Sequence, residues 1–170
     1  MHAEARAFAS EVLLQHKPEL VLEFGSLDIN GSVSDILPGA GYEVDWFGID
    51  LQEGPGVDLV ADAATYTHDF RVSMVVCCEV LEHAANWRHI VRNAEANLHA
   101  DGHLLVTCAT HPRVAHSAVD GGPLRSGEHY GNVGAAELIV ECEANNLAVL
   151  DVRVSEVRGD LYLLAYKRAS

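Results

Sequence analysis

Residues 21–33 read VLEFGSLDINGSV, an apolar run broken by one acid, stopped by a glycine and followed by a polar turn. A short apolar run without polar alternation belongs to a strand buried on both faces, and such strands sit in parallel sheets covered by helices. Gly25 lets the chain turn sharply and bring its backbone close to whatever lies beyond the strand end, where a Cβ would obstruct it. The stretch predicts a strand over Leu20–Phe24. A short helix should follow, capped by Ser32 or Ser34 and running through Leu37 until Pro38 and Gly39 break it.

The pattern recurs outward along the chain. Val44–Ile49 is a second strand ending in Asp50, Val57–Val60 a third ending before Asp62, and Val72–Cys77 a fourth that is nearly all apolar. Asp101 and Gly102 turn the chain into a fifth, His103–Thr107. Helical spacing of apolar residues marks Met1–Gln15, Asn86–Leu98 and Ala135–Asn145, and Ala148–Val157 with Leu161–Lys167 reads as a closing hairpin around Gly159 and Asp160. Strands alternating with helices predict an α/β architecture, with a mostly parallel sheet and an antiparallel edge. The irregular stretch His111–Asn132 exceeds ordinary loop length and is read as a functional loop.

The 170 residues, 49% of them hydrophobic, suffice for one buried core, so a single domain over 1–170 is expected. Eleven Lys and Arg against 25 Asp and Glu give a net charge of −14, which argues against duplex nucleic acid as a partner. No apolar run approaches the roughly 20 residues of a membrane span, and the N-terminus lacks a charged-then-apolar leader pattern. A cytoplasmic location without membrane attachment is expected. Cys77, Cys78, Cys108 and Cys142 show no C-x-x-C spacing and read as buried free thiols.

Ligands of parallel sheets lie beyond the carboxyl ends of the strands, where strand order reverses. Glu23 and Gly25 mark the first such end, Asp50 the second and Asp62-Ala63 the third. A carboxylate at the second strand end can accept both hydroxyls of a ribose, and one at the third can accept from an adenine amino group beside the small Ala63. A nicotinamide site would instead ask for three closely spaced glycines, and this turn offers Gly25 and then Gly31.

On these segments, together with WFGIDLQEGPGVDLVADA, VVCCEVLEHAANW and NLHADGHLLVTCATH, the chain resembles class I S-adenosylmethionine-dependent methyltransferases of the type 11 kind. The resemblance implies a Rossmann-like, mostly parallel seven-stranded sheet with helices on both faces and an antiparallel C-terminal hairpin. It further implies S-adenosylmethionine as cofactor. Glu23, Gly25, Ser26 and Gly31 would frame its methionine part, Asp50 and Leu51 its ribose and adenine, Asp62 and Ala63 the adenine edge. Cys78 and Glu79 would line it beneath the fourth strand. Leu27 stands where the family's first motif has a further glycine, and the turn is centred on Asn30-Gly31-Ser32.

For the methyl acceptor, residues 79–83 read EVLEH; at the start of a helix Glu79, Glu82 and His83 would share one face. That string can simply pack beneath the cofactor. It can also hold a divalent ion, because ubiquinone-pathway O-methyltransferases and small-RNA 2′-O-methyltransferases have a similar acidic-histidine helix and a later histidine, matched here by His129. Glu79, Glu82, His83 and His129 are accordingly the expected ligands of Mg²⁺ or Mn²⁺. His83, His111 and His129 are the candidate catalytic groups, with His116 as an alternative base beside His111. Tyr130 can line an acceptor pocket, whereas Trp46 and Trp87 read as core. The resulting expectation is methyl transfer to an unidentified acceptor, foremost a hydroxyl on a small molecule. A noncatalytic cofactor-binding subunit is the alternative, as is a methyltransferase acting on nucleic acid or protein. The hairpin leaves a sheet edge that a second copy or a partner subunit can pair with.

Overall fold

In the computed structural model, which describes residues 2–29, 31–36 and 43–169, the chain runs α1 (Ala3–His16), β1 (Leu20–Phe24), β2 (Asp45–Asp50), β3 (Leu59–Val60) and β4 (Val72–Cys78). It continues through α2 (Trp87–Asn97), β5 (Leu98–Ala109), α3 (Ala135–Ala144), β6 (Leu147–Ser155) and β7 (Asp160–Lys167). Short 3-10 turns cover Ser34–Ile36 and Leu81–His83. The seven strands form one sheet in the order β3-β2-β1-β4-β5-β7-β6. The first five are parallel to one another, and β7 runs antiparallel between β5 and β6. The chain steps outward from β1 to β3 and then returns to β4 on the other side of β1. Strand order thus reverses between β1 and β4, and the crevice at their carboxyl ends is the natural ligand site.

Side chains alternate between two apolar layers, as period-2 geometry requires. Leu22, Phe24, Val75, Cys77, Leu104 and Val106 face the layer closed by Ile90, Val91 and Ala94 of α2 and Leu138 and Cys142 of α3. Val21, Met74, Val76 and Leu105 face the other layer, closed by Ala5, Phe8, Ala9, Val12 and Leu13 of α1. Helices therefore cover both faces, and the nearly all-apolar character of β4 follows from burial on each side. Within α2, Trp87, Ile90, Val91 and Ala94 recur at spacings of three and four, and Trp87 is core as expected. Cys77, Cys108 and Cys142 are buried free thiols, and Cys78 is half-buried. Among the described residues no helix is long and apolar enough to cross a membrane.

Several boundaries differ from the sequence reading. Leu98 leaves the helix and begins β5, pairing with Val72. Asp101, at φ +63°, then makes an irregularity inside that strand where a turn before it was expected. The third strand is only two residues long, because the Asp58 carboxylate accepts the Gly48 amide and Val57 donates to Gly54 in a turn. The expected helix after β1 is a single 3-10 turn, with the Ser32 hydroxyl accepting the Ser34 amide. Leu37, Pro38 and Gly39, like Met1 and Asn30, lie outside the described residues. The closing hairpin forms, but β7 is inserted next to β5, which sets Asp160 opposite Ala109.

Leu105 is fully buried beneath α1. Leu105→Ala is expected to lower unfolding stability in urea by about 2–5 kcal/mol through lost burial and a residual cavity. A loss below about 1 kcal/mol would contradict this packing.

Candidate functional site

A cavity of about 1170 Å³ opens where the strand order reverses. Its first wall is the turn after β1. Gly25 has φ +76°, and a Cβ there would meet Val80 Cγ2 at 2.2 Å, so glycine is required by both conformation and space. The Ile49 carbonyl accepts the Gly25 and Ser26 amides at 2.9 and 3.1 Å, tying this turn to the end of β2. Asp28 holds the far side by accepting the Gly31 amide at 2.7 Å. Gly25, Ser26 and Gly31 all line the cavity, and the Ser26 hydroxyl is buried without a partner.

Asp50 stands at the end of β2. Its two oxygens accept the Leu27 amide at 3.2 Å and the Gln52 amide at 3.0 Å, which fixes the carboxylate plane while leaving further lone pairs for a diol. Leu51 beside it is 71% exposed. Asp62 accepts the Ala64 amide at 2.8 Å, and Ala63 is buried next to it. All four residues line the same cavity.

Glu23 is buried at the cavity floor and accepts Trp46 Nε1 at 2.8 Å. Trp46, expected in the core, is half-buried and serves as this partner. Burial pushes the Glu23 carboxyl up to about 7; the indole donor opposes this, and the carboxylates of Asp28, Asp35 and Asp50 add to it. Burial also raises the Cys78 thiol strongly, so this cavity-lining sulfur is neutral and unreactive.

The acidic-histidine segment departs from expectation. Glu79 has φ +58° and lies before the 3-10 turn Leu81–His83, so the shared helix face of Glu79, Glu82 and His83 does not form. Glu79 instead turns back onto β5, donating its amide to the Thr107 carbonyl at 2.7 Å and accepting the Thr107 hydroxyl at 2.8 Å. Glu82 is fully buried; Oε1 accepts the Ala109 amide at 3.1 Å, and Oε2 has no partner. Burial and the nearby Glu79 carboxylate push the Glu82 carboxyl upward.

Of the candidate histidines, His83 lines the cavity, whereas His111 and His129 are exposed and stand outside its lining. His111 immediately precedes the cis peptide bond to Pro112. Ser117 donates to Glu128 at 2.7 Å and Gly131 donates to the Glu82 carbonyl at 2.8 Å, folding a loop in which His129 is exposed. His116 takes the place expected of His129. Its ring centroid is 5.2 Å from that of His83, with Tyr130 at 5.5 Å from His83 and 4.9 Å from His116. Burial, then the charge of His116, hold His83 down to about 4, so its imidazole is neutral at physiological pH.

Sequence reasoning overlooked His2, Arg113 and Asp160. His2 caps α1 through Nδ1, lines the cavity and sets Nε2 3.3 Å from Asp160 Oδ1. Arg113 also lines the cavity and pairs with the buried Asp160, which in turn accepts the Tyr162 hydroxyl at 3.3 Å. Arg113 was legible as a cation two residues past a strand-end histidine. Nothing in the sequence signalled His2, whose position depends on how α1 packs.

No protein-family model and no curated protein matches the sequence. Solved structures do match the fold. A 1,6-didemethyltoxoflavin N1-methyltransferase from Burkholderia thailandensis, solved with S-adenosylhomocysteine, is 18% identical with a TM-score of 0.72, over 97% of this chain and 79% of its own. The CcbJ methyltransferase from Streptomyces caelestis is 17% identical with a TM-score of 0.72, over 98% and 95%. The [4+2]-cyclase SpnF is 13% identical with a TM-score of 0.71, over 97% and 82%. The chain therefore has the fold of class I S-adenosylmethionine-dependent methyltransferases, the Rossmann-like seven-stranded architecture that its strand-end motifs imply.

Because folding raises the Glu23 carboxyl above its unfolded value, that group favours the folded state most below about pH 4.5 and loses this contribution as pH rises through about 7. Glu23→Gln keeps an oxygen for Trp46 and removes the titration. The stability of the variant relative to the parent should rise by about 3 kcal/mol between pH 4.5 and 8, followed by urea unfolding. A pH-independent difference would contradict the buried, raised carboxyl.

Proposed function

We propose that this cavity binds S-adenosylmethionine and that the chain transfers its methyl group to a hydroxyl of a small molecule. The observation that carries the reading is the two-ended character of the cavity. One end gathers the glycine turn, Asp50, Asp62 and Ala63; the other gathers His83, Arg113 and His116. A volume above the roughly 300–1,000 Å³ typical of a single small-ligand pocket supports room for cofactor and acceptor together.

The chemistry of each end suits the reaction. A nucleoside diol pairs with the acceptor-only Asp50 carboxylate, and the exposed Leu51 supplies apolar cover for a base. Glu23 and Glu79 place acidic groups along the path of a cationic sulfonium. A sulfonium methyl is already electrophilic, so holding the acceptor oxygen in line with the methyl–sulfur bond is the main task. The proton of a hydroxyl acceptor must also be removed in the reaction. The net charge of −14 favours a small acceptor over a nucleic acid.

Calorimetry with S-adenosylmethionine tests the cofactor reading. The parent should bind one equivalent, and Asp50→Ala should weaken binding roughly 10- to 150-fold, the loss of charge-assisted hydrogen bonds worth about 1.5–3 kcal/mol. Undiminished affinity in the variant, or no binding by the parent, would overturn it. Binding without methyl transfer across a panel of hydroxyl acceptors would point instead to a noncatalytic cofactor-binding subunit.

A further inference from the structure

At the acceptor end, Glu82, His83 and His116 each bring one ligand-capable atom within 4.8 Å of the others. Two features of the cluster lack an explanation within the protein. Glu82 Oε2 is completely buried and has no hydrogen-bond partner, although Oε1 of the same carboxylate is held by the Ala109 amide. His83 Nδ1 is likewise buried and unpartnered. An unmatched buried carboxylate oxygen and an unmatched buried imidazole nitrogen in one cluster are each costly unless a ligand satisfies them.

His116 completes the arrangement. Its Nδ1 lies 3.1 Å from the Val114 carbonyl, which can only accept, so that nitrogen carries the proton and Nε2 presents a lone pair. Fixing a tautomer through a backbone carbonyl is the support that metal-ligating histidines receive from their surroundings. Tyr130 packs against both imidazoles and limits their rotation.

We infer that Glu82, His83 and His116 form a binding site for one transition-metal dication of the Zn²⁺ type. Two imidazoles and one carboxylate suit a borderline ion, whereas Mg²⁺ asks for oxygen ligands and near-octahedral geometry. The ligand set thus differs from the oxygen-rich one expected from sequence: Glu79 is committed to Thr107, and the His129 side chain faces solvent. Three protein ligands leave a position open toward the cavity that His83 and His116 line. An ion there would acidify a coordinated hydroxyl, a role that rests on the methyl-transfer reading above; the existence of the site does not.

The test is a Zn²⁺ titration of the chelator-treated chain against a chromophoric competitor, without cofactor. One tight equivalent is expected, undisplaced by excess Mg²⁺. Glu82→Gln retains an oxygen for the Ala109 amide and places a non-ligating nitrogen at the orphaned position, so it preserves the fold while removing a ligand. Glu82→Gln, His83→Ala and His116→Ala should each weaken binding at least about tenfold. His129→Ala and His99→Ala, at exposed histidines, should not. Parent-like affinity in the first three variants, no tight equivalent in the parent, or displacement by Mg²⁺ would overturn the assignment. S-Adenosylmethionine binding by the same samples is read separately: a chain that takes up one Zn²⁺ but no cofactor would refute the cofactor reading while supporting this site.

Discussion

The organisation of this molecule depends on burial of both faces of β1, β4 and β5. Polar side chains are excluded along most of their length because every alternate residue enters one apolar layer or the other. Polar groups can gather only where the strands run out, and the reversal of strand order sets those ends around one crevice. Burial that stabilises the sheet therefore also locates the chemistry. The Ile49 carbonyl transmits this constraint to the site, since it anchors two successive amides of the β1 turn and so sets Gly25 and Ser26 beside Asp50.

The buried carboxyls Glu23 and Glu82 are exceptions to that exclusion, and each is partly compensated. Glu23 has the indole of Trp46, and Glu82 has the Ala109 amide. Glu82 Oε2 has no hydrogen-bond partner, and burial shifts both carboxyls toward the neutral form. Groups of this kind concentrate where function outweighs local stability. Glu23 lines the cavity itself, whereas Glu82 meets it through His83 and His116, which do.

Features governed by strand burial and by turns at strand ends were legible in the sequence: the parallel strands, the covering helices, Gly25, and the acids at positions 50 and 62. The reading failed where a single backbone torsion or the path of a loop decides the outcome. Glu79 leaves β4 in the left-handed region, which no periodicity rule anticipates, and the expected acidic helix face is lost with it. The exchange of His129 for His116 follows from the Ser117–Glu128 bond and the Gly131 amide on Glu82, contacts made across a loop without repeating pattern. His2 reaches the cavity through packing of the first helix, and Asp160 meets His2 and Arg113 through insertion of the last strand, neither encoded in local sequence. The glycine turn and the strand-end acids over residues 23–63 were thus announced by the sequence, whereas the meeting of His83 with His116 is a product of tertiary structure.

The central claim is that one cavity holds the cofactor in a defined orientation, and a crystal structure with S-adenosylhomocysteine tests it most directly. The account predicts ribose hydroxyls on the Asp50 carboxylate, adenine beside Asp62 and Ala63, and the sulfur directed toward His83 and His116. Adenosine bound outside this cavity, or seated with its ribose away from Asp50, would contradict it.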